Sequence, residues 1–279
     1  MSVSASTRVL TLLGDPVGHS KSPIIQNAAF AEAGMDGVYV AVRCAADDLT
    51  GLMKGLSRAG GGGNITLPHK EKAAAVVDIA SPAVRRTGAC NTFWGGEDGR
   101  VHGDNTDVDG FREALKVFVE GSPTGIRALL LGAGGAARAA LMGLLEEGAD
   151  EVLIYNRTSD RARAVARRIG GQKARVVPLI EKLRGESFDL VVNATRLGLA
   201  AGDASPMDFG PLLRVGGAMD LVYGQKKTPF VRAAEEHGIR SVDGAEMLVQ
   251  QGAASFERWW GSDAPLSVMR EAMERSRLE

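Results

Sequence analysis

The stretch ALLLGAGGAARAA, residues 128–140, joins an apolar run to three glycines and an alanine-rich segment. The apolar run predicts a buried strand, and the alanine-rich segment predicts a helix that begins directly after the glycines. Gly132 permits a tight turn, Gly134 lets a ligand approach the backbone, and Ala137 allows close helix packing. This order is the fingerprint of a dinucleotide-binding unit, and a glycine turn that serves packing alone is the alternative.

Strand-like and helix-like segments alternate on both sides of this stretch. Apolar runs such as RVLTLLGD (8–15), GVYVAVRC (37–44) and FDLVVNAT (188–195) predict strands, and segments with helical spacing follow them. The alternation predicts the α/β fold class, with parallel sheets covered by helices. The pattern restarts near residue 122, which predicts two α/β domains. Residues 1–106 with 244–279 form the first, to which the C-terminal helices return, and residues 107–243 form a Rossmann-type domain.

The composition limits the classes of partner. The 279 residues carry 33 basic and 34 acidic side chains, a net charge of -1 that gives no reason to expect nucleic acid or an anionic membrane. No apolar run approaches the roughly 18 residues of a membrane span, and the start of the chain does not resemble a signal peptide. Cys44 and Cys90 are predicted to be reduced thiols of a cytoplasmic protein. The four histidines lack metal-ligand spacing, so we expect no metal.

The second strand of the Rossmann-type domain indicates which dinucleotide binds. EVLIYNRTSDR (151–161) ends in Asn156, Arg157 and Thr158, with Arg161 one turn further. An NAD-binding protein would place an acidic residue there to hold the ribose hydroxyl. A guanidinium suits a phosphate dianion better, so the sequence predicts NADP. The alternative is a solvated helix start, although positive charge there opposes the helix dipole.

The stretch NITLPHKEK, residues 64–72, carries a positioned lysine. The glycines at 60–63 predict a free turn, and residues 63–67 predict a third strand with Lys70 beyond its end. Asp107 stands near the start of a later helix. Strand ends at the carboxyl edge of a sheet are where α/β proteins bind ligands, so we expect Lys70 to handle a proton beside Asp107. A solvated lysine in a surface salt bridge, worth at most about 1 kcal/mol, is the alternative.

Several segments together resemble the shikimate dehydrogenase family, over nearly the whole chain and in the family's order. They are GDPVGHSKSP (14–23), NITLPHK (64–70), GACNT (88–92), GDNTDVDG (103–110), GAGGAARA (132–139), NRT (156–158), NAT (193–195), DLVY (220–223), TPF (228–230) and MLVQQ (247–251). Each segment alone could arise by chance, whereas their co-occurrence at similar intervals is specific. The resemblance implies an NADP-dependent oxidoreductase that reversibly reduces 3-dehydroshikimate to shikimate, on the route to chorismate and aromatic amino acids.

The resemblance also implies roles for individual residues. The first domain would bind the small-molecule substrate, the second NADP, with the cleft between them, in a monomer or homodimer. Lys70 and Asp107 would be the catalytic pair. Ser20 and Ser22 would hold the substrate carboxylate, while Thr66, Asn91 and Gln251 would hold ring hydroxyls and Tyr223 would line the cleft. The cofactor-binding residues would be Gly132, Ala133, Gly134, Gly135, Ala136, Asn156, Arg157, Thr158, Arg161, Thr195, Leu221 and Gly244.

Some positions leave alternatives open. Ser20 and Ser22 could also cap a helix that begins near Pro23. The chain departs from the usual family pattern at Gln26, Cys90, Arg196 and Gly224. A relative that acts on quinate or aminoshikimate therefore stays possible, as does a non-catalytic NADP-binding sensor. A pure binder has no need of both Lys70 and Asp107, which argues against the sensor.

Overall fold

The computed structural model describes residues 3–200, 202–210 and 213–278, without the side chain of Leu213. The chain divides into two compact units, here called unit 1 (Met1–Gly110 with Leu248–Glu279) and unit 2 (Phe111–Met247). The predicted domain boundaries, 106/107 and 243/244, lie just before two helices, Asp107–Val119 and Ala245–Trp260. The two units divide within the first turn of each of these helices.

The described residues alternate between strands and helices, as the sequence predicts. The strands are β1 Arg8–Gly14, β2 Gly37–Arg43, β3 Gly62–Ile65, β4 Ile79–Ala80, β5 Thr92–Gly95, β6 Val101–Asp104, β7 Arg127–Leu131, β8 Glu151–Tyr155, β9 Ala174–Val177, β10 Glu186–Phe188, β11 Leu190–Asn193, β12 Leu213–Val215, β13 Gly217–Asp220 and β14 Arg240–Val242. The helices are α1 Ser22–Glu32, α2 Leu49–Arg58, α3 Lys70–Ala74, α4 Pro82–Thr87, α5 Asp107–Val119, α6 Gly135–Glu146, α7 Ser159–Val165, α8 Pro229–Glu236, α9 Ala245–Trp260 and α10 Leu266–Leu278. None of these helices combines the length and the apolarity that crossing a membrane requires.

Unit 1 contains a mixed sheet with the strand order β2-β1-β3-β5-β6-β4. The expectation of a parallel sheet holds for only part of this sheet, because β5 pairs antiparallel with both β3 and β6. A short turn that includes Gly99, at φ +73°, joins β5 to β6 as a hairpin, and a hairpin requires antiparallel pairing. Since β5 is reversed, β3 and β6 run in the same direction as β1. The carboxyl ends of β1, β3 and β6 and the amino end of β5 therefore share one edge.

The glycine run before Asn64 is part of the sheet. The sequence predicts a free turn over residues 60–63, whereas β3 already begins at Gly62. A Cβ at Gly63 would lie 2.0 Å from the carbonyl oxygen of Thr11, and one at Gly62 would lie 2.3 Å from that of Phe93. Glycine is required here because neighbouring backbones approach too closely for any side chain.

Unit 2 contains a parallel sheet with the strand order β14-β13-β11-β7-β8-β9. Counted from β7, this is the order 3-2-1-4-5-6 of the Rossmann fold, read from the opposite edge. β7 lies at the centre, and its residues Leu129 and Leu130 are fully buried. A separate pair, β10 and β12, forms a small parallel sheet. The predicted α/β fold class with a Rossmann-type domain is confirmed.

The C-terminal helices belong to unit 1 apart from the first turn of α9. On α9, the ring of Phe256 lies 5.9 Å from that of Phe30 on α1, and Trp259 lies 5.9 Å from Tyr39 on β2, between centroids. Such aromatic contacts bury large apolar areas. They fasten α9, and with it Gln251, to the sheet of unit 1.

Candidate active site

Lys70 and Asp107 form an ion pair at the shared edge of the unit 1 sheet. Lys70 begins α3, beyond the end of β3, and Asp107 begins α5, beyond the end of β6. The ammonium Nζ lies 2.5 Å from Asp107 Oδ2, and the two side chains are only 16% and 7% exposed. Attraction between charges is stronger when water is excluded, and losing one partner of such a pair leaves an uncompensated charge. The pair is therefore not the solvated surface salt bridge of the alternative interpretation.

Hydrogen bonds around the loop before α3 fix the backbone of Lys70. The ring Nε2 of His69 lies 2.7 Å from the carbonyl oxygen of Cys44, and His69 N donates to the carbonyl of Thr66 at 3.0 Å. The carbonyl of Lys70 itself accepts from Cys90 N at 2.8 Å. These bonds fix where the Lys70 side chain starts, and from there its ammonium group reaches Asp107.

Asn91 orients the carboxylate of Asp107 from the other side. Its Nδ2 lies 2.9 Å from Asp107 Oδ1, 3.0 Å from Thr106 Oγ1 and 3.4 Å from Gln251 Oε1. An amide nitrogen carries two hydrogens, so it cannot satisfy all three acceptors at once. The contact to Gln251 is the longest and is the one that a ligand hydroxyl would replace most easily. Asn91 Oδ1 accepts from Thr106 N at 2.7 Å, which fixes the amide plane.

A buried hydroxyl that the sequence analysis missed contacts Thr106 and Gln251, two of the neighbours of Asn91. Ser255 on α9 is fully buried and its Oγ is 2.9 Å from Asn64 Nδ2, from Thr106 Oγ1 and from the carbonyl of Gln251. These bonds connect β3, the start of α5 and α9. The sequence does hold a signal for this cluster, because Ser255 and Asn64 are polar residues inside segments that are otherwise apolar. Buried polar groups need hydrogen-bond partners, so two such residues can be expected to bond other buried polar groups.

The predicted carboxylate-binding serines lie at the start of α1, after β1. Ser20 Oγ is 3.2 Å from Ser22 Oγ and accepts from Ser22 N at 3.2 Å. Neither serine is the N-cap residue, which is Lys21, although Ser20 Oγ does accept from the first amide of α1. Lys21 Nζ donates to the carbonyl of Ser276 on α10, at 2.7 Å. The serine hydroxyls thus stand at a helix N-terminus, a favourable place for an anion.

Thr66 connects this region to the lysine loop. Its backbone N donates to the carbonyl of Leu13 at 2.9 Å, at the end of β1. Its methyl group packs against Gly14, where an added Cβ would lie 2.3 Å away. Unit 1 therefore brings together Thr66, Lys70, Asn91, Asp107 and Gln251 at one edge, with Ser20 and Ser22 beyond β1 at the same edge. Tyr223 is half-buried in unit 2, and its substrate contact stays a prediction.

In unit 2, the glycine turn after β7 has the form that a pyrophosphate needs. Gly132 is buried at φ +117°, and an added Cβ would lie 2.8 Å from the carbonyl oxygen of Ala194. Gly134 caps α6, is exposed, and faces open space where a Cβ would stand. Ala137 is fully buried under the helix. The first amides of α6, from Gly135 and Ala136 onward, are therefore accessible to an anion.

The end of β8 presents two arginines to solvent. Asn156 Nδ2 donates to the carbonyl of Thr158 at 2.8 Å and shapes the turn. Within the described part of the chain, the guanidinium groups of Arg157 and Arg161 have no hydrogen bond or ion pair, whereas Arg163 pairs with Asp160 at 2.8 Å. Two unpaired guanidinium groups at this strand end fit a phosphate dianion, as the predicted preference for NADP requires.

The remaining predicted cofactor residues meet at the carboxyl ends of β11 and β13. Leu221 N donates to the carbonyl of Asn193 at 2.9 Å, and an added Cβ on Gly244 would lie 2.4 Å from the carbonyl oxygen of Leu221. Thr195 donates twice to Asn193 Oδ1, from N at 3.0 Å and from Oγ1 at 2.8 Å. Ala133 lies buried at the end of β7, the strand next to β11. Sequence reasoning missed Asn193 and its partner Asp220.

The cysteines and histidines show no metal centre. Across residues 3–200, 202–210 and 213–278, no three His, Cys, Asp or Glu side chains gather in a group that could hold a metal ion. Cys44 and Cys90 are both free and buried. Burial raises the pKa of the Cys90 thiol to about 12, so it stays protonated and unreactive at neutral pH.

A Rossmann-type unit with an open glycine turn, and a unit with a buried lysine–aspartate pair, define the class of α/β dinucleotide-dependent oxidoreductases. Family models sharpen the class. The shikimate dehydrogenase substrate binding domain matches residues 12–93, the shikimate/quinate 5-dehydrogenase model matches residues 114–199, and the shikimate 5'-dehydrogenase C-terminal domain matches residues 244–274. With these matches and the relatives that follow, the chain belongs to the shikimate dehydrogenase family.

Relatives are similar over nearly their whole length. A shikimate dehydrogenase (NADP(+)) from Thermus thermophilus is 44% identical, covering 95% of this chain and 97% of the relative. One of the same name from Methanopyrus kandleri is 40% identical, covering 98% and 97%. A crystal structure of shikimate 5-dehydrogenase from Thermus thermophilus in complex with NADP(H) and shikimate has a TM-score of 0.86 at 42% identity, covering 96% of this chain and 99% of that one.

Proposed function

We propose that this protein catalyses the reversible NADP-dependent reduction of 3-dehydroshikimate to shikimate, a step toward chorismate and the aromatic amino acids. The buried ion pair of Lys70 and Asp107 carries the proposal, because it gives a chain of this family a proton-transfer group inside the substrate-binding unit. The relatives named for NADP and shikimate support the choice of cofactor and substrate. We expect a cytoplasmic enzyme that acts as a monomer or homodimer.

Lys70 moves the proton. Reduction of a ketone places negative charge on its oxygen, which must gain a proton, and oxidation of the alcohol requires that proton to leave. The ammonium of Lys70 can donate it from Nζ and stabilise the developing oxyanion by its charge. Asp107, 2.5 Å from Nζ, keeps the ammonium oriented and is itself held by Asn91. When bound, NADP(H) supplies or accepts the hydride.

Residues of unit 1 hold the substrate in this proposal. Ser20 and Ser22 donate hydroxyl hydrogens to the substrate carboxylate, beside the N-terminus of α1. Thr66, Asn91 and Gln251 bind ring hydroxyls, and Tyr223 of unit 2 adds a further contact. A cyclic polyol acid presents one carboxylate and several hydroxyls, and this set of neutral polar groups matches that chemistry. The substrate-binding domain would comprise residues 1–106 and 244–279.

Residues of unit 2 hold the dinucleotide in this proposal, within residues 107–243 and at Gly244. The segment Gly132–Ala136 receives the pyrophosphate at the start of α6. Asn156, Arg157, Thr158 and Arg161 bind the 2'-phosphate. Thr195, Leu221 and Gly244 bind the nicotinamide end.

A matrix of substrates and cofactors tests the proposed function. Purified protein is incubated with shikimate, quinate or no substrate, each with NADP+ and with NAD+, and reduced nicotinamide is followed by its absorbance. We expect turnover with shikimate and NADP+ well above every other combination. Turnover with quinate alone would assign the protein to the quinate branch, and no turnover with either acid would favour a binding protein.

A further inference from the structure

Asp220, the last residue of β13, is a carboxylate that is only 1% exposed. Its Oδ1 accepts from Asn193 Nδ2 at 2.8 Å and from Val222 N at 3.0 Å, and its Oδ2 accepts from Thr228 Oγ1 at 2.6 Å. In the part of the chain that the structure describes, no lysine or arginine forms an ion pair with it. Burying a charge on neutral donors alone is costly, so stability does not explain this residue.

The donors around Asp220 connect the turns that follow two strands. Asn193 ends β11, and its Oδ1 accepts both the N–H and the hydroxyl of Thr195. Val222 lies in the turn after β13, directly after Leu221. Thr228 Oγ1 also accepts from Val231 N at 3.2 Å and so caps α8. One carboxylate thus fixes the turns that carry Thr195 and Leu221.

We propose that Asp220 is a positioning residue for the dinucleotide: through Asn193 and Val222 it holds Thr195 and Leu221 in the arrangement that binds the nicotinamide end of NADP. The inference rests on the proposed function, because both of these contacts to NADP are part of that proposal. Asp220 itself touches no cofactor in this scheme. Its effect passes through hydrogen bonds.

A carboxylate suits this position because it only accepts hydrogen bonds and all its partners donate. An asparagine could still accept from Asn193 and Val222, but its amide would face Thr228 Oγ1, whose hydroxyl hydrogen would have to turn away. Burial raises the pKa of Asp220 to about 6. The hydrogen bonds from Thr228, Val222 and Asn193 lower this pKa, but by less than burial raises it, and the negative charge of Asp243 adds to the rise. Protonation in mildly acidic solution therefore imitates the asparagine.

Calorimetric titration of the full-length protein with NADP+ tests this. Asp220→Asn is compared with wild type and with Asp189→Asn at pH 8 and pH 5. Asp189 is the control for the same change of carboxylate to amide away from these turns, because it is exposed and its Oδ2 accepts from Arg127 N at 2.7 Å at the opposite, amino end of the same sheet. We expect Asp220→Asn to weaken NADP+ binding about 3- to 10-fold at pH 8, as expected for one lost hydrogen bond, and Asp189→Asn to leave it unchanged.

At pH 5 the NADP+ dissociation constant of Asp220→Asn, divided by that of wild type, should fall toward one, because wild-type Asp220 is then largely protonated. The 2'-phosphate of NADP also titrates near pH 6, but it does so equally for every variant, so the ratio isolates Asp220. Asn193→Ala removes the side chain that links Asp220 to Thr195, and it leaves the Thr228 cap of α8 intact. It should weaken binding to a similar degree, which keeps the test valid if Asp220→Asn does not fold.

Equal affinity of wild type and these variants at pH 8 would overturn the inference, as would an equal loss in Asp189→Asn, since that would indicate general destabilisation. A wild-type protein that binds no NADP+ would overturn the proposed function itself, and this inference with it. The two failures are distinguishable because the first leaves wild-type binding intact.

Discussion

At the scale of single residues, burial decides what a charge can do. The pair of Lys70 and Asp107 is largely removed from water and held by further hydrogen bonds, which sets it apart from the solvated pairs on the surface of the same molecule. Arg157 and Arg161 show the opposite arrangement, since both are exposed and their guanidinium groups form no ion pair with the described residues. In the proposed function, the first arrangement serves proton transfer and the second serves recognition of an anion.

Arg157→Ala should reduce the preference for NADP. Loss of a charge-assisted contact to the 2'-phosphate is expected to raise the KM for NADP+ by about 10- to 100-fold while the KM for NAD+ changes little. Arg163→Ala is the control, because this arginine lies on α7, the helix that begins two residues after Arg157, but pairs with Asp160. Steady-state kinetics with both cofactors measure the effect. An unchanged ratio of the two KM values would contradict the assignment.

Ser255→Ala should impair turnover without touching a ligand. Removal of the hydroxyl takes one hydrogen bond each from Asn64 Nδ2 and Thr106 Oγ1, and both of these groups also bond Asn91, which is held less firmly beside Asp107 as a result. We expect kcat to fall about 3- to 10-fold with little change in either KM, the size of one lost hydrogen bond. Ser276→Ala is the control, since its buried hydroxyl donates only to its own helix, to the carbonyl of Met273 at 2.7 Å. Equal kcat values for the two variants would contradict this role.

At the scale of elements, the reversed strand β5 builds the site. Its hairpin with β6 places Asn91 at the same edge as the ends of β3 and β6, where Lys70 and Asp107 stand. The glycines at 95, 96 and 99 indicate a turn between two short strands, so the two halves of this hairpin can be read from the sequence. The mixed sheet that results was not, because strand pairing depends on contacts between residues that are distant in sequence.

The glycines of β3 make this arrangement possible. Gly63→Ala should destabilise the protein by more than about 3 kcal/mol, because the methyl group would meet the backbone of Thr11 and φ is +149°. Gly55→Ala is the matched control, since its position in α2 faces open space and should gain roughly 0.5–1 kcal/mol in helix propensity. Urea unfolding measures both. A Gly63→Ala variant as stable as wild type would rule out the close approach of β3 to β1.

Sequence patterns predicted most of the strands and the longer helices, and missed a few short elements. The dinucleotide fingerprint at residues 128–140 fixed the position of β7 and α6, and family motifs placed Lys70 and Asp107. The strands β9 and β14 and the helix α4 were missed because segments of six residues or fewer carry little periodic signal. Asp220 and Ser255 were missed for another reason, because their roles come from partners in distant segments.

At the scale of the whole molecule, the buried carboxylate of Asp220 links folding to pH. Its pKa is raised by burial to about 6, above the roughly 3.9 of an unfolded aspartate, so the folded state binds this proton more tightly. This group therefore lowers stability above pH 6, and its cost is relieved as the pH falls from about 6 toward 4. Between pH 8 and pH 5 the relief amounts to about 1 kcal/mol.

Asp220→Asn removes this titration. As the pH falls from 8 to 5, the unfolding free energy of wild type should therefore rise by about 1 kcal/mol relative to that of the variant. Urea unfolding of both proteins at the two pH values measures the shift. Taking the difference cancels the other titrating groups, which both proteins share. A difference that does not depend on pH would mean that Asp220 titrates normally.

The role of Lys70 in proton transfer is tested by comparing the turnover of Lys70→Ala with that of Lys72→Ala. Both lysines lie on α3, but Lys72 is exposed and donates to the carbonyl of Ala46. With shikimate and NADP+, we expect Lys70→Ala to lower kcat by about 10²–10⁴-fold, with the KM for shikimate within a few-fold, and Lys72→Ala to behave as wild type. A Lys70→Ala enzyme that keeps its kcat and loses only affinity for shikimate would contradict the assignment of proton transfer to Lys70.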